Sequence, residues 1–405
     1  MRAMEEGQME SSKGNNDQSE PRDTYRIAYI LHFFLGAGNL LPWNTLITAI
    51  DYYSYIYPNR HVEKVFSVAY MSSSVLVLVV MLSWGKWSNS FNLRFRMSLG
   101  FSLFVFSLMV TPTMDWTRHS NGTKVNSSVS YYMIVSSVVI CGLADGLIAG
   151  SLIGSAGKLP KRYMQAIFAG TASSGVLVSV LRILTKASLP HTPKGLKTSA
   201  HLYFIVSTII LTGCIVCSNL LDKLPVMQQH YKHLQKVLPH STPKFWKVAR
   251  IIRWPALGVF MIYTVTLSIF PGFLAENIDS RFLRDWYPIM LITLYNISDL
   301  VGKSFTAIFV VQGIGKVTWG CIARLLFYPL FSVCLHGPKW LKSEVPVALL
   351  TVMLGLTNGY LTSCIMILAP KAVAAPEAEI AAIVMVVFLG IGLVAGSVLG
   401  WFWLI

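Results

Sequence analysis

Two side chains of opposite charge, Asp299 and Lys303, lie four residues apart in the largely apolar stretch Trp286–Val310. A stretch of this length can cross a bilayer as a helix. Each charge at the bilayer centre costs roughly 2.5–3.5 kcal/mol on insertion scales, but a spacing of four residues places both on one helix face, where they can pair. We therefore predict a helix that faces a polar interior, of the kind that carries ions, protons or solutes through a membrane.

The composition of the whole chain is that of a membrane protein. Of its 405 residues, 54% are hydrophobic and 13% are charged, whereas a soluble domain has about 25% charged residues. The net charge of +15 is spread over short segments between apolar runs, as in the loops that flank membrane helices. We expect the lipid bilayer as a partner and no nucleic acid.

Eleven apolar segments are long enough for membrane helices, so we predict an all-α membrane protein with eleven transmembrane helices. They cover approximately 26–49, 64–85, 97–114, 131–155, 163–185, 199–221, 252–275, 286–310, 318–336, 345–368 and 379–402. The longest internal connection separates six spans from five, as in transporters built from two halves. The predicted domains are a disordered cytoplasmic tail (1–24), a six-helix bundle (25–222), a cytoplasmic linker (223–251) and a five-helix bundle (252–405).

The distribution of Lys and Arg predicts the orientation of the chain. The larger share lies in the tail and in those loops that share its side of the membrane, which favours a cytoplasmic N-terminus and an extracellular C-terminus. The loop 115–130 is then external. It carries two glycosylation sequons, at Asn121 and Asn126, which can be used only on that side.

Three more ionisable residues lie deep in predicted spans, namely Asp145, Arg182 and Arg324. Such residues either clamp helices together or belong to a solute or proton pathway, and inside a membrane the functional interpretation is favoured. We take the two arginines as structural charges. The candidates for proton coupling are Asp145 and Asp299, and Asn296 lies on the same helix face as Asp299.

The first span contains glycines and a proline in Gly36–Asn44, which suggests a bend in the helix. Trp43 and Asn44 would then offer an aromatic face and an amide to a solute. Trp43 fits equally well in the aromatic belt at the membrane surface. Glycines recur every four residues in 142–154 and in 392–400, a spacing that predicts close helix packing.

The chain contains no constellation of residues that indicates catalysis. Gly302–Ser304 resembles the end of a phosphate-binding loop, but Ile297 stands where that motif needs glycine. The six cysteines lie in or beside apolar spans and imply no disulfide framework. We therefore expect neither an enzyme nor a metal or other cofactor.

Several segments resemble the equilibrative nucleoside transporter family, and the resemblance runs from about Tyr25 to Ile405. The most specific segments are Leu40–Asn44 and Tyr295–Lys303. Shorter matches are Pro271–Gly272, Ala323–Leu325, Thr357–Tyr360 and Pro376–Glu379. Plant members are most similar, judged by Leu326–Phe331 and Thr357–Thr362.

The resemblance implies a major-facilitator-like fold of 6+5 helices that works by alternating access. It implies purine and pyrimidine nucleosides as substrates, and nucleobases in some members. Family members use both facilitated and proton-coupled transport, so a proton–nucleoside symporter is the alternative within the class. A multispan receptor is the alternative from another class. We expect a monomer in the plasma membrane, with the vacuolar membrane as the alternative.

The resemblance also implies roles for particular residues. The tryptophan at Trp43 lines the central cavity, and the residues at Asp299 and Lys303 contact the sugar. The predicted substrate-binding residues are Trp43, Asn44, Ser151, Phe270, Asn296, Asp299 and Lys303.

Two departures from the family pattern stand out. Many relatives have arginine in place of Lys303, and lysine cannot offer the planar fork of donors that arginine provides. Some mammalian members have a glutamine that hydrogen-bonds the base at the position of Ala149. Base recognition in this chain must therefore use other groups.

Overall fold

The computed structural model describes residues 23–58, 60–83, 92–121, 127–190, 192–237, 245–270, 283, 286–336 and 344–400. Throughout these residues the regular secondary structure is helical, and no strand is present among them. Helices are the expected form, because within hydrocarbon each backbone N–H and C=O must find its partner inside the segment. The prediction of an all-α protein is confirmed.

Fifteen α-helices are found in the described part of the chain, joined by turns and a few short 3₁₀ segments. They are α1 (Ile27–Thr48), α2 (Ile50–Ile56), α3 (Val62–Ser83), α4 (Leu93–Asn121), α5 (Ser127–Gly157), α6 (Lys161–Ser188), α7 (Pro193–Lys223), α8 (Pro225–Val237), α9 (Phe245–Ile251), α10 (Arg253–Ile269), α11 (Tyr287–Phe305), α12 (Ile314–Ala323), α13 (Phe327–His336), α14 (Glu344–Leu368) and α15 (Ala378–Leu399).

Most of these helices are suited to a bilayer. Within the described ranges, eight segments are long and apolar enough to cross a membrane, and up to ten are if each of two bent helix pairs forms one span. α11 has the length to cross but is less apolar, because it carries Asn296, Asp299 and Lys303. With α11, the described helices provide one counterpart for each of the eleven predicted spans.

The bends do not all lie where the sequence suggests them. α1 continues through Pro42 to Thr48, and the chain bends by 42° at Ala49, where α1 meets α2. The second bent pair, α9 and α10, meets at Ile252 with an angle of 68°. The predicted bend at the glycines and proline of the first span is therefore wrong in position, since that segment is regular helix.

Helices of the N-terminal half pack closely through their glycines. α1 lies along α6, and α5 lies against both α3 and α4. A Cβ atom on Gly142 would lie 2.1 Å from the Ser73 hydroxyl, and one on Gly146 would lie 2.4 Å from the Ser74 carbonyl oxygen. Both distances are shorter than any real contact, so these positions of α5 require glycine, as the four-residue spacing indicates.

The C-terminal half repeats this close approach between α11 and α14, while α10 packs along α15. A Cβ atom on Gly359 would lie 2.1 Å from the Asp299 carbonyl oxygen, and one on Gly302 would lie 2.4 Å from that of Leu356. The backbones of α11 and α14 therefore touch along the segment that carries the charged pair.

The two halves meet along two seams. One is formed by α6 with α11, and the other by α15 with α3 and α5. Lys158, directly after α5, forms an ion pair with Glu379 in the first turn of α15. A Cβ atom on Gly157 would lie 2.9 Å from the Ala378 carbonyl oxygen, so the halves are in close contact at this end. The domain boundaries given above stay a prediction.

Candidate functional site

A cavity of about 1170 Å³, its open part included, lies between the two halves. Its walls come from α1, α3, α5 and α6 on one side and from α10, α11, α14 and α15 on the other. Most of the 28 lining residues are apolar or aromatic, and ten are Asn, Asp, Lys, Ser or Thr. This mixture is typical of sites for small organic molecules.

The charged pair of α11 lies on the C-terminal wall of this cavity. The Lys303 Nζ atom is 2.8 Å from Asp299 Oδ2, and the two side chains are only 4% and 9% exposed. The Asn358 amide on α14 donates to the other oxygen, Asp299 Oδ1, over 2.7 Å. The predicted pairing across one helical turn is confirmed, and it leaves two buried charges that cancel.

A chain of hydrogen bonds extends from Asp299 into the C-terminal half. The Thr266 hydroxyl on α10 donates to Asn358 Oδ1 over 2.9 Å. The guanidinium of Arg324, in the turn between α12 and α13, donates to the Thr266 hydroxyl over 2.6 Å and to the Leu354 carbonyl oxygen over 3.1 Å. Arg324 is thus held by neutral oxygens, with no carboxylate at ion-pair distance among the described residues. The structural role of Arg324 stays a prediction.

Two residues of α11 also reach across to the N-terminal half. Lys303 Nζ lies 3.4 Å from the Thr171 hydroxyl of α6. The Asn296 amide donates to the Ser179 hydroxyl over 2.8 Å and to the Gly175 carbonyl oxygen over 3.3 Å. Both Asn296 and Lys303 line the cavity, so the polar face of α11 forms part of the seam with α6.

The N-terminal wall carries the aromatic face predicted from the sequence. The ring of Trp43 lies 4.9 Å from that of Tyr70, centroid to centroid, with the planes tilted by 44°. Trp43 is 7% exposed and lines the cavity, so the interpretation as a membrane-surface belt residue is wrong. Asn44 also lines the cavity, and its amide donates to the Ser174 hydroxyl over 2.9 Å.

Asp145 is the second carboxylate on the cavity wall. It lies on α5, in the other half from Asp299, and the Ser74 hydroxyl of α3 donates to its Oδ2 atom over 2.7 Å. Within the described residues no lysine or arginine forms an ion pair with it. The two candidates for proton coupling therefore share one cavity but differ in their surroundings.

Other predicted residues fall both inside and outside the cavity. Phe270 lines it and stacks on Tyr295, with ring centroids 4.0 Å apart. Ser151 is buried and does not line it, whereas Ala149 does. Arg182 is elsewhere and pairs with Asp51 over 2.7 Å.

The predicted glycosylation sites, Asn121 and Asn126, fall outside the side chains that the structure describes.

Two residues of the polar network were missed by reasoning from the sequence, Thr266 and Asn358. Asn358 lies in one of the segments that resemble the family, Thr357–Tyr360, and this signal could have found it.

Solved structures with the same arrangement of helices are membrane carriers. A bacterial homologue of the iron transporter ferroportin in an outward-facing state superposes with a TM-score of 0.63, at 14% identity, over 92% of this chain and 90% of that one. A Major Facilitator Superfamily transporter, FucP, in the outward conformation superposes with a TM-score of 0.60 at 13% identity. The superposition covers 95% of this chain and 92% of that one. The fold therefore defines the class, an all-helical membrane protein with a major-facilitator-like architecture.

Sequence comparison gives the family. A family model described as "Nucleoside transporter" matches residues 135–242 and 235–405. Equilibrative nucleotide transporter 8 of Arabidopsis thaliana is 64% identical over 389 residues, which are 96% of this chain and 98% of the relative. Equilibrative nucleotide transporter 1 of the same plant is 46% identical over 398 residues, 95% and 88% of the two chains. The chain belongs to the equilibrative nucleoside transporter family and is an integral membrane protein.

Proposed function

We propose that this protein moves nucleosides across a membrane by alternating access and binds them in the cavity between its halves. The observation that carries the proposal is the buried Asp299–Lys303 pair on the cavity wall, next to the seam between α6 and α11. A nucleoside is neutral, which suits a pair of cancelling charges. Its ribose hydroxyls can donate to the carboxylate and accept from the ammonium group.

The remaining cavity residues suit the base and the changing contacts of a carrier. The aromatic face of Trp43 can lie against a purine or pyrimidine ring, and the stacked pair of Phe270 and Tyr295 extends the apolar wall. Asn44 and Asn296 offer amides near the seam. These assignments are supported by position on the cavity wall, and Ser151 lacks that support.

The proposal is tested by uptake of labelled adenosine into cells that express the protein. Saturable uptake is expected for the natural sequence, and a loss of most of it is expected for Asp299→Asn, which retains the shape of the side chain but not its charge. Asp51→Asn removes an exposed carboxylate outside this cavity and serves as the matched control. Natural-level uptake by a well-expressed Asp299→Asn protein would contradict the assignment of the site.

A proton–nucleoside symporter is the second candidate, because two carboxylates, Asp145 and Asp299, line the same cavity. The test is the current that nucleosides evoke in oocytes at several external pH values. Facilitated transport predicts no nucleoside-evoked current and uptake that does not depend on pH. An inward current that grows as the external pH falls would establish coupling to protons.

We also infer that the N-terminus is cytoplasmic and that the protein resides in the plasma membrane, with the vacuolar membrane as the alternative. The distribution of Lys and Arg supports this orientation. We expect glycosidase treatment to lower the apparent mass of the natural protein but not that of the double variant Asn121→Gln/Asn126→Gln. An identical mass for all samples would remove this support for the orientation.

A further inference from the structure

Polar atoms without partners lie on the N-terminal wall of the cavity. In the described part of the chain, the Asn39 Oδ1 atom and the Tyr70 hydroxyl are buried and form no hydrogen bond. Both residues line the cavity together with Asp145. Asp145 accepts a hydrogen bond from Ser74 over 2.7 Å, and the Tyr70 hydroxyl lies close enough to interact with the same carboxylate. We call Asn39, Tyr70 and Asp145 the acceptor patch.

Unsatisfied atoms of this kind on a cavity wall are groups that a polar solute can contact. Buried polar groups are nearly always hydrogen-bonded, and leaving one unsatisfied costs about 1–3 kcal/mol. A carboxylate and an amide oxygen can only accept hydrogen bonds, while a phenol can do both. The acceptor patch is therefore matched to a solute edge that presents N–H donors.

The acceptor patch and the charged pair on α11 lie on opposite walls of the cavity, so they can contact different parts of one nucleoside. Each oxygen of Asp299 receives one donor, from Lys303 or Asn358, and can accept a second from a sugar hydroxyl. Asp145 receives Ser74 on Oδ2 and can accept further donors in the same way. The ring of Tyr70 lies beside that of Trp43, so a base resting against Trp43 has the patch within its reach. Sugar contacts then fall to the C-terminal half and base contacts to the N-terminal half.

We propose that Asp145 recognises the base of the nucleoside by accepting a hydrogen bond from the exocyclic amino group of that base. This inference rests on the proposed function and goes beyond it by naming a preference. Nucleosides with an amino group, such as adenosine and cytidine, bind more tightly than analogues that lack it. The reason is that a site built around an acceptor loses a hydrogen bond when the donor is missing.

The test compares adenosine with purine riboside, which has hydrogen in place of the amino group and is otherwise identical. Each unlabelled compound competes with labelled adenosine for uptake. For the natural protein, half-inhibition needs about tenfold more purine riboside than adenosine, because a hydrogen bond to a charged group is lost. The ratio of the half-inhibitory concentrations of purine riboside and adenosine falls close to one in Asp145→Leu. It falls to an intermediate value in Asp145→Asn, whose amide oxygen still accepts a hydrogen bond but carries no charge.

The matched control is Asp51→Asn, which removes an exposed carboxylate from the same half outside the cavity and keeps the tenfold ratio. Equal competition by the two compounds in the natural protein overturns the inference, and so does a full ratio in Asp145→Leu. If the leucine variant does not reach the membrane, a full ratio in Asp145→Asn overturns it instead. Absence of any saturable nucleoside uptake by the natural protein refutes the proposed function itself and the inference with it.

Discussion

At the scale of single residues, the Asp299–Lys303 pair gives separate predictions for stability and for transport. It is buried in both members, so the removal of one leaves an uncompensated charge, which costs about 3–5 kcal/mol. Replacing both members of such a pair with apolar residues of similar volume is often neutral or stabilising. We therefore expect stability to depend on the balance of the charges and, if the proposed site is right, transport to depend on the groups themselves.

We expect Lys303→Met to lower the melting temperature of the protein in detergent and to abolish uptake. The double variant Asp299→Leu/Lys303→Met should recover most of the melting temperature but none of the uptake, because the sugar loses both of its polar partners. Melting curves and adenosine uptake, measured on the same preparations, distinguish the two effects. A double variant that transports would show that the pair is structural only.

At the scale of elements, several helices of this protein pack with their backbones in direct contact at glycines, in addition to the contacts between their side chains. α5 touches α3 through Gly142 and Gly146, and α11 touches α14 through Gly302 and Gly359. Without water to be displaced, such packing is a main source of association between helices in lipid. The same approach brings Asn358 within hydrogen-bond distance of Asp299.

A Gly146→Ala substitution should destabilise the protein by about 1–3 kcal/mol, the usual cost of an overpacked contact. The added Cβ atom would lie 2.4 Å from the Ser74 carbonyl oxygen, and Ser74 also orients Asp145. Gly213→Ala on α7 is the control, because nothing lies within 4 Å of its added Cβ atom. Thermal unfolding in detergent should show a lower midpoint for the first variant and an equal or higher one for the second. An equal drop in the unfolding midpoint of both variants would show that the close contact at Gly146 is not what makes alanine destabilising there.

The local geometry of one helix explains what could be predicted from sequence. The Asp299–Lys303 contact depends only on the spacing of residues in α11, so it follows from the sequence. Asn358 contacts Asp299, and Thr266 contacts Asn358, only because α10, α11 and α14 pack together, and the spacing within one helix does not encode that arrangement. On α5, Ala149 faces the cavity while Ser151 does not, because two residues turn a helix by about 200°.

At the scale of the whole molecule, the contacts between the halves at the Lys158–Glu379 end describe one state of a moving carrier. Alternating access requires this end to separate during each cycle. The ion pair is partly exposed, at 24% and 19% for the two side chains, so it adds little to stability. A difference of about 1 kcal/mol between two states nevertheless changes their populations severalfold.

Reversal of one charge at this end should impair transport, because like charges oppose contact of the halves. We expect Lys158→Glu and Glu379→Lys each to lower the maximal rate of uptake severalfold and the double swap to restore much of it. Lys161→Glu is the control, since Lys161 is exposed and forms no ion pair among the described residues. The measurement is the initial rate of uptake per protein at the cell surface. A double swap no better than either single variant would exclude the ion pair as a contact between the halves.

The modest hydropathy of α11 has a consequence for how the protein is made. A ribosome delivers Tyr287–Phe305 to the membrane before Glu344–Leu368 exists, so at that moment Asp299 has no Asn358 to hold it. α6 has already been synthesised, and its Thr171 and Ser179 are the partners at hand for Lys303 and Asn296. The order of synthesis therefore offers the polar residues of α11 their partners on α6 first, and Asn358 of α14 completes the set only after the last helices are made.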